Sequence, residues 1–109
     1  MLIVPLQPLP NQTFTIQLAG QSCQIDLYQT AFGLFMDLYR DNQQVVVGVI
    51  CQNRNRIVRN LYFGFLGDFW FVDQQAAVGA PGEDPVYTGL GTRFLLEYIE
   101  ASELPAGVG

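Results

Sequence analysis

The stretch Leu61-Tyr62-Phe63-Gly64-Phe65-Leu66-Gly67-Asp68-Phe69-Trp70-Phe71-Val72-Asp73 decides the fold class. Six of its thirteen residues are aromatic, and Gly67-Asp68 divides it into two short apolar runs. Aromatic and β-branched side chains fit a pleated, half-buried surface, so each run reads as a strand. Glycine at the first turn position supplies the positive φ of a two-residue type II′ hairpin. Alternation sets Leu61, Phe63 and Phe65 against Tyr62, Gly64 and Leu66, and beyond the turn Phe69 and Phe71 against Trp70 and Val72. Neither face is polar. The hairpin is therefore expected to be covered on both sides, with Phe63, Phe65, Trp70 and Phe71 at the centre of the core.

Short alternating runs continue on either side. Gln12 to Leu18 sets Phe14, Ile16 and Leu18 against Thr13, Thr15 and Gln17. After a turn at Ala19-Gly20-Gln21, Ser22 to Tyr28 points Cys23, Ile25 and Leu27 inward. Leu34 to Tyr39 places Leu34, Met36 and Leu38 opposite Phe35, Asp37 and Tyr39. Gln44 to Cys51 is almost wholly apolar and β-branched, which predicts a central strand, and Gly48 within it marks a bulge or a close backbone approach. Gln52 to Asn60 reads as a loop with a short strand through Ile57-Val58. Thr92 to Glu100 reads as the last strand, with Phe94, Leu96 and Tyr98 on one face.

Three further segments bound this single 1–109 domain. Prolines at 5, 8 and 10 restrict the N-terminal arm, residues 1–11, to an edge strand or an extended strap, because proline lacks the ladder donor. Residues 74–91 form a long loop rich in Gly and Pro. Its first half, Gln74 to Gly82, is expected to be flexible, while Asp84 to Gly91, stiffened by Pro85, docks through Tyr87. The tail, residues 101–109, reads as frayed. The fold class that follows is all-β: a compact antiparallel β-barrel or sandwich of seven to eight short strands.

Half of the 109 residues are hydrophobic and only 14% are charged, so the surface is either covered by the eleven Gln and five Asn or buried against a partner. The net charge of −5 and the lack of any Lys argue against nucleic acid. There is no His, which removes the commonest general base and zinc nitrogen ligand. Two cysteines, Cys23 and Cys51, are too few for a disulfide scaffold or a four-thiolate metal site, and both lie in apolar runs that predict buried thiols. No run of about 20 apolar residues and no signal peptide is present, so no membrane association and an intracellular product are expected.

Few residues invite a chemical reading. Arg54, Arg56 and Arg59 sit among Asn and Val, either as a solvated loop or as an ion-pairing contact with an acidic neighbour. Asp68 and Asp73 flank the aromatic hairpin as an acid/base pair would, but turn chemistry accounts for the first and strand termination for the second. Gly89-Leu90-Gly91 precedes a strand rather than a helix, which suits tight turning and not a phosphate cradle. Arg93 has Asp84 or Glu97 as expected ion partners. No catalytic, cofactor-binding or metal-binding residue emerges. Candidate interface residues are Arg54, Arg56, Arg59, Tyr87 and Arg93.

From Cys51 onward the chain resembles the cyanophage-type baseplate plug family of contractile-tailed phages. The residues that carry this are Cys51-Gln52-Asn53-Arg54-Asn55-Arg56-Ile57-Val58-Arg59, Tyr62 with Gly64-Phe65-Leu66-Gly67-Asp68, and Phe71 and Asp73. They continue through Asp84-Pro85-Val86-Tyr87-Thr88-Gly89-Leu90-Gly91-Thr92-Arg93 to Leu96, Tyr98 and Glu100. The most specific part is Asp-Pro-x-Tyr-x-Gly-Leu-Gly-x-Arg. The resemblance implies a virion structural protein near the junction of tail tube and hub, assembled in the host cytoplasm, with no catalytic residues to carry over. Its expected partners are the hub, the tail tube and its own copies in three- or six-fold symmetry. The rival expectation is a monomeric β-barrel that binds a small apolar ligand in an aromatic cavity.

Overall fold

A computed structural model describes residues 2–58, 65–76 and 82–100. Seven strands follow in chain order: β1 (Leu2–Val4), β2 (Asn11–Leu18), β3 (Gln21–Thr30), β4 (Gly33–Arg40), β5 (Gln43–Ile50), β6 (Asp68–Asp73) and β7 (Phe94–Ile99). A single 3-10 turn covers Tyr87–Gly89, and there is no α-helix among the described residues. The strands form two antiparallel sheets, one ordered β2-β3-β4-β5 and the other β1-β7-β6. The sheets do not close into a barrel. They face each other as a sandwich, and one cluster of buried residues joins their inner faces.

The period-two pattern explains which faces meet. In β3, Cys23, Ile25 and Leu27 are buried, as are Leu34, Met36 and Leu38 in β4 and Phe94, Leu96 and Tyr98 in β7. From β6, Phe69 and Phe71 are fully buried, and the Phe69 ring lies 5.3 Å from Tyr98 and 5.8 Å from Phe65. Trp70 has the opposite parity and is only half-buried on the outer face. The expectation that it belongs to the core is corrected on that point. Phe63 and the expected strand Leu61–Leu66 fall largely outside the described residues. Phe65 is buried, yet Phe65 and Leu66 are not in a strand, and β6 pairs with β7.

Asp68 is likewise not a turn residue. It is the first residue of β6, fully buried, and its carboxylate accepts the backbone N–H groups of Val58 and Phe69, each at 2.7 Å. Gly67 before it has φ +94°, and a Cβ there would lie 2.5 Å from the Ile99 carbonyl oxygen. Both the conformation and the close approach require glycine.

Two expectations about strand order change. The apolar run Gln44–Cys51 is not a central strand, because β5 lies at the open edge of its sheet, with Val47 47% and Ile50 40% exposed. β-branched composition reports a fit to a pleated surface, not a position within the sheet. Gly48 is a bulge and not a close approach. The β4–β5 register shifts there, Gly48 has φ +69°, and a Cβ would meet nothing within 4 Å. The Asp37 carboxylate accepts the Gly48 N–H at 2.7 Å and so holds the bulge in place.

Ile57-Val58 is not a strand either. Residues 51–58 form a strap along the outer edge of β6, with Arg54 N–H bonded to the Phe71 carbonyl at 2.8 Å and Ile57 N–H to the Phe69 carbonyl at 2.9 Å. Its own Cys51, Ile57 and Val58 are buried. The strap covers β6 backbone that would otherwise be an exposed sheet edge. β1 is an edge strand, one of the two forms that the proline spacing allows, paired to β7 through Leu2↔Tyr98, Ile3↔Glu97 and Val4↔Leu96.

Candidate functional site

The densest polar cluster among the described residues is built where β6 ends. Asp73 closes the strand, and its carboxylate is almost fully buried. Arg93, just before β7, meets it through two parallel bonds, Nε to Oδ1 and Nη2 to Oδ2, each at 2.9 Å. The same Nη2 lies 2.5 Å from the Glu83 carboxylate. Asp73 also accepts the N–H groups of Gln75 at 3.0 Å and Glu83 at 2.9 Å. A forked guanidinium matches a carboxylate in this geometry. The Arg93 fork and the two backbone donors hold the Asp73 carboxyl well below the usual carboxylate range, and Asp73 in turn raises Arg93.

Asn53 and Asp84 extend the cluster to the strap. The Asn53 side chain accepts the Asp73 N–H at 2.9 Å, and Asp84 accepts the Asn53 N–H at 3.0 Å. Gly82 approaches so closely that a Cβ would lie 2.6 Å from the Asn53 amide nitrogen. Arg93 therefore pairs with Asp73 and Glu83, and not with the expected Asp84 or Glu97. What the cluster does chemically is tie three segments distant in sequence: the end of β6, the strap and the loop before β7. An open groove of about 570 Å³ lies beside it, lined by Gly82, Glu83, Asp84, Val86, Thr88, Gly89, Arg93 and Phe94.

The remaining candidate residues are not gathered at one point. Arg54 is exposed on the strap, with its guanidinium 5.6 Å from the Trp70 ring centroid. Trp70 donates its indole N–H to Glu97 at 2.8 Å. Arg56 is half-buried, and its Nη1 is enclosed without a hydrogen-bond partner among the described residues. Arg59 lies outside the described residues. Tyr87 is half-buried against the core and anchored by its N–H to the Gln29 side chain at 3.1 Å. Asp84 to Gly91 is docked in this way, with Pro85 and Leu90 buried. Residues 77–81 of the expected flexible half are outside the described residues.

The sequence reading missed the outer face of the four-stranded sheet. Asp26 and Asp37 lie directly opposite each other across β3 and β4, both half-buried. Like charges so placed destabilise a sheet by roughly 0.2–1 kcal/mol. Neither forms an ion pair among the described residues; Asp26 accepts from Gln24 at 3.3 Å, and Asp37 from the Tyr28 hydroxyl at 2.9 Å. Beside them the Tyr28 and Phe35 rings stack with centroids 6.0 Å apart. Alternation alone places each residue on the outer face, but only the strand register sets Asp26 against Asp37. Burial first, then the Asp37 hydrogen bond, raises the Tyr28 hydroxyl above its usual range.

Among the described residues no group of three or more His, Cys, Asp or Glu side chains could hold a metal, and no helix is long and apolar enough to cross a membrane. Asp68 and Asp73 are both committed to structural bonds. Two comparisons bear on identity. No curated protein sequence matches the chain. A family model described as the cyanophage baseplate Pam3 plug gp18 matches residues 1–101. The chain thus belongs to the cyanophage baseplate plug family, and with it has a structural role in the virion's tail baseplate, among the other baseplate components.

Proposed function

We propose that the protein is a non-enzymatic packing element of a contractile tail, seated near the junction of tail tube and hub and acting as a symmetric oligomer. The observation that carries this is the use of its polar groups. The buried carboxylates Asp68 and Asp73 hold backbone donors and Arg93 rather than facing a cleft as an acid/base pair. Catalysis needs convergent groups free to act on a substrate, whereas assembly needs a rigid body with exposed side chains. Arg54, Arg56 and Arg59 are proposed to contact acidic neighbours, Tyr87 to support the docked loop at a contact, and Arg93 to keep that loop in shape. The rival small-ligand barrel has less support, since the sheets do not close and Phe69 and Phe71 fill the core.

The test is biochemical. Mass spectrometry of purified virions should find the protein, and antibody labelling should place it at the baseplate end of the tail. Arg54→Ala should reduce its incorporation while leaving its melting temperature nearly unchanged, whereas Tyr87→Ala, which removes a ring packed against the core, should lower both. A protein absent from purified virions would overturn the reading.

A further inference from the structure

The two sheets present outer faces that differ in charge, and each carries half-buried apolar or aromatic side chains. On the three-stranded sheet that face holds Ile3, which is 58% exposed, together with Trp70, Val72 and Leu95. Arg54 sits over Trp70 with no carboxylate partner among the described residues, while Glu97 is taken by the indole N–H. On the four-stranded sheet the face holds Tyr28, Phe35 and Tyr39 around the opposed Asp26 and Asp37. Among the described residues no cation lies on it: Arg40 is the single Lys or Arg in those strands, shares the inward parity of Leu38 and pairs with Asp41.

We infer that these two faces meet between copies of the chain, with Arg54 of one copy set against Asp26 and Asp37 of the next. The inference rests on the assembly reading above and names its surfaces. An Arg fork recognises carboxylates and stacks on aromatic rings, so one side chain answers both features of the acidic face. Its arrival also relieves the repulsion between two carboxylates fixed in register. Because the faces lie on opposite sides of the sandwich, the contact is head-to-tail and not isologous. Such contacts propagate into a ring or a column. Charge complementarity within one acidic chain thus points to a second copy as the occupant.

Sedimentation velocity on the full chain tests this, across protein concentration and at low and high salt. The wild-type protein should form species larger than a dimer, weakened by salt because the ion pairs lie at a surface. Asp26→Arg and Arg54→Glu should each weaken association by about tenfold or more, since each sets like charges together. Asp26 accepts one long hydrogen bond from Gln24 and faces Asp37 across the strands, so its replacement should not lower the thermal melt. If either reversal lowers the melt, Asp26→Asn and Arg54→Gln take its place, with a smaller loss expected. An equimolar mixture of the two reversed variants should recover association, because each supplies the charge the other now lacks. A monomeric wild type, a closed dimer, variants that associate undiminished, or a mixture that fails to recover would each overturn the inference. A monomeric wild type would also count against the symmetric oligomer proposed above, but none of these outcomes touches the baseplate location, which stands or falls on the presence of the protein in virions.

Discussion

Phe71 is enclosed between the sheets, while its neighbour Trp70 lies half-buried on the outer face under the Arg54 guanidinium. Truncating a buried aromatic removes transfer energy and leaves a cavity, so Phe71→Ala should cost about 3–5 kcal/mol. Trp70→Ala should cost about 1–2 kcal/mol, from partial burial and one cation–π contact. Equal losses in denaturant melts would place both rings in the core. Asp73 sets a pH dependence of known sign. A carboxyl whose folded pKa lies below its unfolded value of about 3.9 stabilises fully above that value, and the contribution is lost as pH falls toward the folded one. Arg93 and the Glu83 N–H are what depress it. Wild-type stability should therefore decline as pH drops below about 4, and Asp73→Asn should lose stability at neutral pH while flattening that decline. Parallel acid profiles for the two proteins would remove Asp73 as the source. Parity in the sequence separates Phe71 from Trp70, but both faces of β6 look apolar, and only the facing sheet decides which one is core.

β5 and the strap show how elements trade places with their expected roles. Positive φ at Gly48 is met with open space around the missing Cβ, whereas at Gly67 the Ile99 carbonyl and the Tyr98 ring stand in the way. Gly48→Ala should cost about 1 kcal/mol from conformation alone. Gly67→Ala adds a backbone clash and should cost clearly more. Chemical denaturation that ranks them in the reverse order would contradict the proposed origin of each. A single Gly in an apolar run left a bulge and a close approach as alternatives, and the docked Asp84–Gly91 segment was legible from its proline and tyrosine. The edge position of β5 was not, since edge and centre differ in neighbours and not in local preference. The strap's cover of β6 was equally hidden, because its bonds to Phe69 and Phe71 use backbone groups that every sequence carries.

Across the whole molecule, Cys23 and Cys51 mark distant points of one core. Both are free and buried, and burial pushes the Cys23 thiol up to about 11 and Cys51 higher still. Cys51 bonds back to Leu34, which pairs with Gln29, six residues along β3 from Cys23. Six strand residues span roughly 20 Å, against the ~7 Å limit for a disulfide between Cα atoms. The two thiols should therefore resist a thiol reagent until the protein opens globally, and then react together, with rates rising in step with denaturant. Rapid reaction of one thiol in the native protein would show that its end of the sandwich opens alone.

By itself the sequence determined the all-β class, the inward face of β3, the alternation of β4 and β7, the restriction of the proline-spaced arm to an edge strand or a strap, and the kinship with baseplate plugs. These rest on a two-residue period, on proline's missing donor and on a contiguous motif, all of which act over a few neighbouring residues. The tertiary structure decided which strands lie at edges, which face of β6 is buried, that Arg93 answers to Asp73 and Glu83, and that Asp26 confronts Asp37. Each of these depends on strand order and register between segments far apart in the chain, and the competing arrangements share the same local pattern, so only the packed sandwich could choose among them.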